Sequence, residues 1–182
     1  VKDVAKWFKK GDHSILKLIH HDMNCQIFDR VMPILTFFGG LLFSCILPIA
    51  LIVIDKNNSK LVGFELIMTL VLSAIVVQVL KKIVGRIRPF NQFDDVNNLH
   101  SELKDYSFPS GHTTAGFAIA MTLMLNIPGM KILLVIALGI AVSRIYLGVH
   151  FPTDVLFGAI IGWYTASVVH IMFWNDVIGY FR

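Results

Sequence analysis

The chain has 182 residues, 55% of them hydrophobic, and a formal net charge of +4. A mean hydropathy of +0.70, carried by long uninterrupted apolar runs, excludes an ordinary soluble domain and points to one membrane-embedded domain. The modest positive charge belongs to loops, and no basic recognition helix is visible, which excludes nucleic acid as a partner.

Residues 1–30 mix Lys, Asp and His with Val4, Trp7, Phe8, Ile15, Leu16, Leu18 and Ile19. Their apolar part is too short to span, so the expectation is an interfacial arm with Trp7 and Phe8 near the headgroups. A solvated tail is the alternative. The pattern lacks the cleavage site of a signal peptide. His13, His20 and His21 are expected on solvated surface. Cys25 and Cys45 have no metal or redox spacing and read as packing residues.

Five apolar runs follow: 31–54, 62–80, 110–127, 130–149 and 153–174. At ~1.5 Å per residue, about 20 residues cross the hydrocarbon, and these runs meet or nearly meet that length. Pro33 and Pro48 predict a kink in the first run. Glu65 near the start of the second could reach the interface, and His170 lies near the far end of the fifth. Residues 81–108 form a polar connection, of which 90–108, with Asp94, Asp95, His100, Glu102 and Tyr106, is a loop suited to gating a site. Gly158-x3-Gly162 has the spacing that lets helices approach closely. The predicted fold is all-α: an integral-membrane bundle of five transmembrane helices, or six if the arm inserts. It is one domain, 1–182, with residues 1–30 as an interfacial helix and 31–174 as the bundle.

Three polar clusters stand at the ends of these runs: Lys81-x6-Arg88-Pro89, Pro109-Ser110-Gly111-His112 and Ser143-Arg144-x5-His150-x3-Asp154. Counting crossings puts all three on one membrane face. Each has a bland reading. Arg144 could snorkel to the headgroups, Lys81 and Arg88 could merely flank a span, Ser110 could only cap a helix, and Asp154 could only complement a helix dipole. Their coincidence on one face favours function. Arg144 reads as a fork for phosphate oxygens, and Ser110-Gly111 as a helix start that favours an anion. Asp154 can orient His150, four residues earlier, and fix its tautomer.

These clusters resemble the signature of the type-2 phosphatidic acid phosphatase superfamily, matching it in order and spacing over residues 81–154. Integral members often have six spans, against five plus an arm here. The resemblance implies His150 as nucleophile, Asp154 as its orienting partner and His112 as general acid. It implies Lys81, Arg88, Ser110, Gly111 and Arg144 as phosphate ligands. It also implies no metal or other cofactor, and no carboxylate-rich cage accompanies the motifs. The reaction would pass through a phosphohistidine, with His150 neutral and His112 charged, giving a bell-shaped pH–rate profile.

A site at helix ends lies at headgroup depth, so the expected partners are the bilayer and a lipid phosphate. Undecaprenyl diphosphate is favoured on size, with phosphatidylglycerophosphate or phosphatidate as alternatives. A vanadate haloperoxidase and a non-enzymatic phosphate-lipid binding or transport protein are the rival classes. The site side carries 12 of the 16 Lys and Arg, which by the positive-inside tendency would face the cytoplasm. The resemblance implies instead a multi-pass cell-membrane protein with its site outward. Cysteine labelling at residue 58 against residue 97 in intact cells separates the two.

Overall fold

The computed structural model describes residues 11–54, 56, 58–96 and 105–180, with 175–180 as backbone only. Trp7, Phe8, His100 and Glu102 lie outside the described residues. Every regular element among those described is helical. Residues 11–17 form α1, which runs into a π-helical turn, Leu18–Asp22. Then come α2 (Gln26–Phe37), α3 (Leu41–Ile54), α4 (Ser59–Val84), a 3-10 turn (Pro89–Asn91), α5 (Gly111–Asn126), α6 (Ile132–Tyr146) and α7 (Pro152–Tyr180).

α5 sits in the middle, against α4, α6 and α7. Thr113, Thr114, Phe117, Ala118 and Thr122 are all buried, so most of the helix is enclosed, with Leu125 exposed near its end. Its small residues make this crowding feasible. Gly158 and Gly162 of α7 add to it: a Cβ at Gly162 would lie 2.3 Å from Thr114 O, and one at Gly158 2.7 Å from Ser110 O. The small-x3-small pair therefore joins two helices of one chain. α4 buries a single stripe, Val62, Leu66, Thr69, Ser73, Val77 and Lys81. Steps of three and four residues keep one helix face inward, and they carry Lys81 into the interior.

Among the described residues, two helices are long and apolar enough to cross a membrane: α4 with its extension to Asn91, and α7 to Trp174. α2 and α3 reach that length only together, bent by 51°. Leu41, Val53, Ile83, Leu156 and Ile171 point outward and exposed, as a lipid-facing surface requires. The chain is a membrane protein.

Three expectations are corrected. The 31–54 run is two helices, and the bend falls at Gly39-Gly40, while Pro33 and Pro48 sit inside their helices. The cause is packing: a Cβ at Gly39 would lie 2.5 Å from His112 O and 2.8 Å from Ile140 Cγ2. One face of the described part of the arm packs into the protein, since Asp12, Leu16 and His20 are buried, while Ile15 and Leu18 stay exposed. His20 Nδ1 donates to Tyr146 O at 2.7 Å, so it is not a solvated histidine. Glu65 does not reach the interface. It is fully buried, 3.0 Å from His170 Nδ1, and accepts from Asn126 Nδ2 and Trp174 Nε1.

Candidate active site

The three clusters converge at one end of the bundle. α4 delivers Lys81 on its buried stripe, then stops at Gly85 in a left-handed cap (φ 59°). The chain runs on past Arg88, whose side chain is 3% exposed. α5 starts at Gly111 with Ser110 as N-cap, its Oγ accepting from Thr113 Oγ1 at 3.0 Å and, more weakly, from Thr113 N at 3.5 Å. α6 ends at Tyr146, and a turn with Gly148 at φ 72° brings His150 back toward Arg144. His150 N and Val149 N both donate to Arg144 O at 3.3 Å. α7 begins at Pro152 and places Asp154 in its first turn. Ser110 N donates to Asp154 O at 3.0 Å, which locks the starts of α5 and α7 together.

Lys81, Arg88 and Arg144 are all buried. Arg144 does not snorkel: its Nη1 donates to Thr36 Oγ1 of α2 at 2.7 Å, and its Nε has no hydrogen-bond partner among the described residues. Arg88 Nη1 donates to Val149 O at 2.9 Å and lies 3.2 Å from His150 Nε2. A guanidinium can only donate. Nε2 is therefore the acceptor of the ring, and the proton of the neutral imidazole is on Nδ1. That nitrogen is 3.7 Å from Asp154 Oδ2. The sequence suggested a direct hydrogen bond here. The structure gives a longer electrostatic contact, while Oδ2 accepts from Phe151 N at 2.8 Å. Burial, and then the charges of Arg144, Arg88 and Lys81, push the His150 imidazole well below its usual range. The neutral ring has its lone pair at Nε2, where it accepts from Arg88.

His112 lies in the first turn of α5, within electrostatic reach of Arg144, His150, Lys81 and Arg88. A Cβ at Gly40 would be 3.7 Å from its Nε2, so the α2–α3 bend borders this ring. A Cβ at Gly111 would meet only Val77, at 3.9 Å. The close approach expected of Gly111 is thus not made to any described protein group.

Sequence reading missed Asp105 in the connecting loop. Its carboxylate pairs with Lys81 Nζ and with Arg88 Nη2 (2.6 Å), while Arg88 Nε donates to its backbone carbonyl at 2.9 Å. Burial would raise the Asp105 carboxyl, but hydrogen bonds from Lys81 and Arg88, with their charges, win and hold it at about 2. The pairing therefore persists above 3.8 and is lost only as pH falls toward 2. Only its charge type, opposite to that of its partners, could have signalled this residue. A tetrahedral anion would compete with Asp105 for the same two cations. Asp105→Ala should tighten inhibition by orthovanadate about three- to ten-fold, measured as Ki in detergent. A weaker Ki would mean that Asp105 positions the cations and does not compete for them.

Residues 63–178 match the PAP2 superfamily, and the chain belongs to it. Undecaprenyl-diphosphatase of Sulfolobus acidocaldarius is 37% identical over 115 residues, 62% of this chain and 55% of that protein. The chain spans about half the length of the curated relatives it matches. Two solved structures share the fold along most of both chains. The transmembrane PAP2-type phosphatidylglycerolphosphate phosphatase of Bacillus subtilis has a TM-score of 0.77 at 27% identity, covering 96% of this chain and 89% of that one. LpxE of Aquifex aeolicus has a TM-score of 0.75 at 31% identity, covering 87% and 93%.

Proposed function

We propose that this protein is a metal-independent membrane lipid phosphatase that works through a phosphohistidine on His150, with undecaprenyl diphosphate as its substrate. One observation carries the reading. Three buried cations, Lys81, Arg88 and Arg144, surround an imidazole whose lone pair lies against Arg88, and the only carboxylate shared among these cations, among the described residues, is the half-exposed Asp105. Burying like charges together is costly unless an anion joins them.

The chemistry follows from the positions. The guanidinium and ammonium groups, with the start of α5 at Ser110-Gly111, hold the phosphate oxygens and neutralise charge in the transition state. His150 Nε2 attacks phosphorus in line; the P–N bond forms as the P–O bond to the lipid breaks. Asp154 faces Nδ1–H and stabilises the positive charge that develops on the ring. His112 gives its proton to the leaving oxygen. Water then attacks the phosphohistidine, His112 takes back a proton, and inorganic phosphate leaves. Fixed cations here do what a metal would do elsewhere, and no cluster of three or more possible metal ligands occurs among the described residues. Five spans and an outward site complete the reading.

The Sulfolobus acidocaldarius relative supports the diphosphate substrate. The likeness to the Bacillus subtilis phosphatase keeps phosphatidylglycerophosphate as the second reading. A panel decides between them: undecaprenyl diphosphate, phosphatidylglycerophosphate, phosphatidate and lipid A, each given to purified protein in detergent with and without EDTA. The expected result is fastest phosphate release from undecaprenyl diphosphate, unchanged by EDTA. The acid limb of its pH–rate profile should lie below the usual imidazole range, because burial and the neighbouring cations push the His150 imidazole down. No release from any of the four lipids would reject the phosphatase reading, and a loss with EDTA would reject metal independence.

A further inference from the structure

Arg86 lies inside the first cluster, between Lys81 and Arg88, at a position the signature leaves open. It does not join the other cations. Its Nη1 donates to Asp154 Oδ1 and to Thr153 Oγ1, both at 2.7 Å, and its Nη2 donates to Asp12 Oδ2 at 2.6 Å. Its Cζ stands 3.8 Å over the ring of Phe151, which fixes the guanidinium plane. Asp12 belongs to α1 and is buried. Its Oδ1 accepts from Thr153 N at 2.9 Å and its Oδ2 from Thr153 Oγ1 at 2.6 Å. A side chain from the N-terminal arm therefore satisfies a backbone N–H in the first turn of α7, which no intrahelical carbonyl can reach.

Both oxygens of Asp154 are thus held. Oδ1 is fixed by Arg86, and Oδ2 by Phe151 N at 2.8 Å, leaving Oδ2 turned toward His150 Nδ1. Without Arg86 the carboxylate would lose its charged anchor and keep the neutral donors Phe151 N and Ser107. Without Asp12, Arg86 and Thr153 would each lose a partner.

We propose that Arg86 and Asp12 are positioning residues for the phosphoryl transfer. They hold the Asp154 carboxylate at His150, so that the N-terminal arm is needed for turnover as well as for packing. This rests on the phosphohistidine reading. Neither residue reaches the three phosphate-facing cations in any hydrogen bond among the described residues. Their loss should therefore lower kcat and spare substrate binding.

The test uses the full chain and the lipid of the four-member panel that the wild-type protein hydrolyses fastest. Arg86→Gln and Asp12→Asn should each lower kcat about 10- to 100-fold, the cost of a small misplacement at a reacting centre. KM and the Ki for orthovanadate should stay within about two-fold of wild type. Arg86→Lys, which keeps the charge, should recover part of the loss in Arg86→Gln. The double variant Asp12→Asn/Arg86→Gln should be little worse than Arg86→Gln, because the two act in one chain of contacts. Unchanged kcat in both single variants would overturn the proposal. So would a rise in KM and Ki together, which means a distorted pocket, and so would full additivity in the double variant. Asp12→Asn keeps shape and one acceptor, so it guards against loss of folding in the arginine variants. His150→Ala, assayed alongside, separates the two layers. If it stays active, the phosphohistidine reading fails. If it is inactive while Asp12→Asn and Arg86→Gln are unaffected, only the positioning role fails.

Discussion

His150→Ala should lower kcat on the preferred lipid by at least about four orders of magnitude, while orthovanadate still binds. The size follows from the role: without Nε2 there is no covalent step, and water must attack a phosphate held only by cations. Retained anion binding follows from the geometry. Lys81 and Arg144 keep their own partners, Asp105 and Thr36, and Arg88 keeps Asp105 and Val149 O. Kinetics of phosphate release and a vanadate titration check both halves. A variant that loses vanadate binding along with turnover would make His150 a structural support for Arg88. A variant that keeps turnover would remove it from the chemistry.

His112→Ala should show a loss that depends on the leaving group. A lipid monoester departs as an alkoxide and needs a proton, so kcat should fall about 10²- to 10⁴-fold, the usual share of general acid catalysis. A lipid diphosphate departs as a phosphate, a far weaker base, and the same substitution should cost about ten-fold or less in the first step. Undecaprenyl diphosphate and phosphatidate measured side by side on one preparation give the comparison. Equal losses on both in the rate of forming the phosphoenzyme would assign His112 to phosphate binding in that step, instead of to protonating the lipid oxygen. His112 sits where either role is conceivable, in the first turn of α5 and close to the α2–α3 bend. The leaving-group dependence is what separates them.

Much of the site could be read from the chain because its parts are local. A lysine and an arginine-proline seven residues apart, a serine before a helix start, and a histidine and aspartate four residues apart are recognisable by spacing alone, whereas the buried stripe that carries Lys81 inward was not read. Apolar runs between them set how they meet, and family resemblance supplied the roles. The partners joined by folding alone could not be read this way. Asp105 reaches Lys81 and Arg88 from a polar loop with no periodicity. Asp12 reaches Arg86 across 74 residues of sequence. Each is one acidic residue among several, and nothing local marks it. Burial of His20 and Glu65 was hidden for a related reason: a polar residue near the end of an apolar run reads as solvated until its hydrogen-bond partners are known. The bend at Gly39-Gly40 was hidden because its cause is the backbone of His112, on another helix. Prolines, the usual local signal for a kink, drew attention to the wrong positions.

The site asks for one measurement above the others. Purified protein is mixed with the preferred lipid carrying ³²P in its terminal phosphate, quenched within milliseconds, and digested for peptide mapping. The same is done with His112→Ala, in which attack by water is slowed. Acid-labile, alkali-stable label on the peptide that contains His150, stronger in the variant, is the predicted result. Phosphate release with no label on that peptide in either protein, or label on a serine or an aspartate instead, would contradict it.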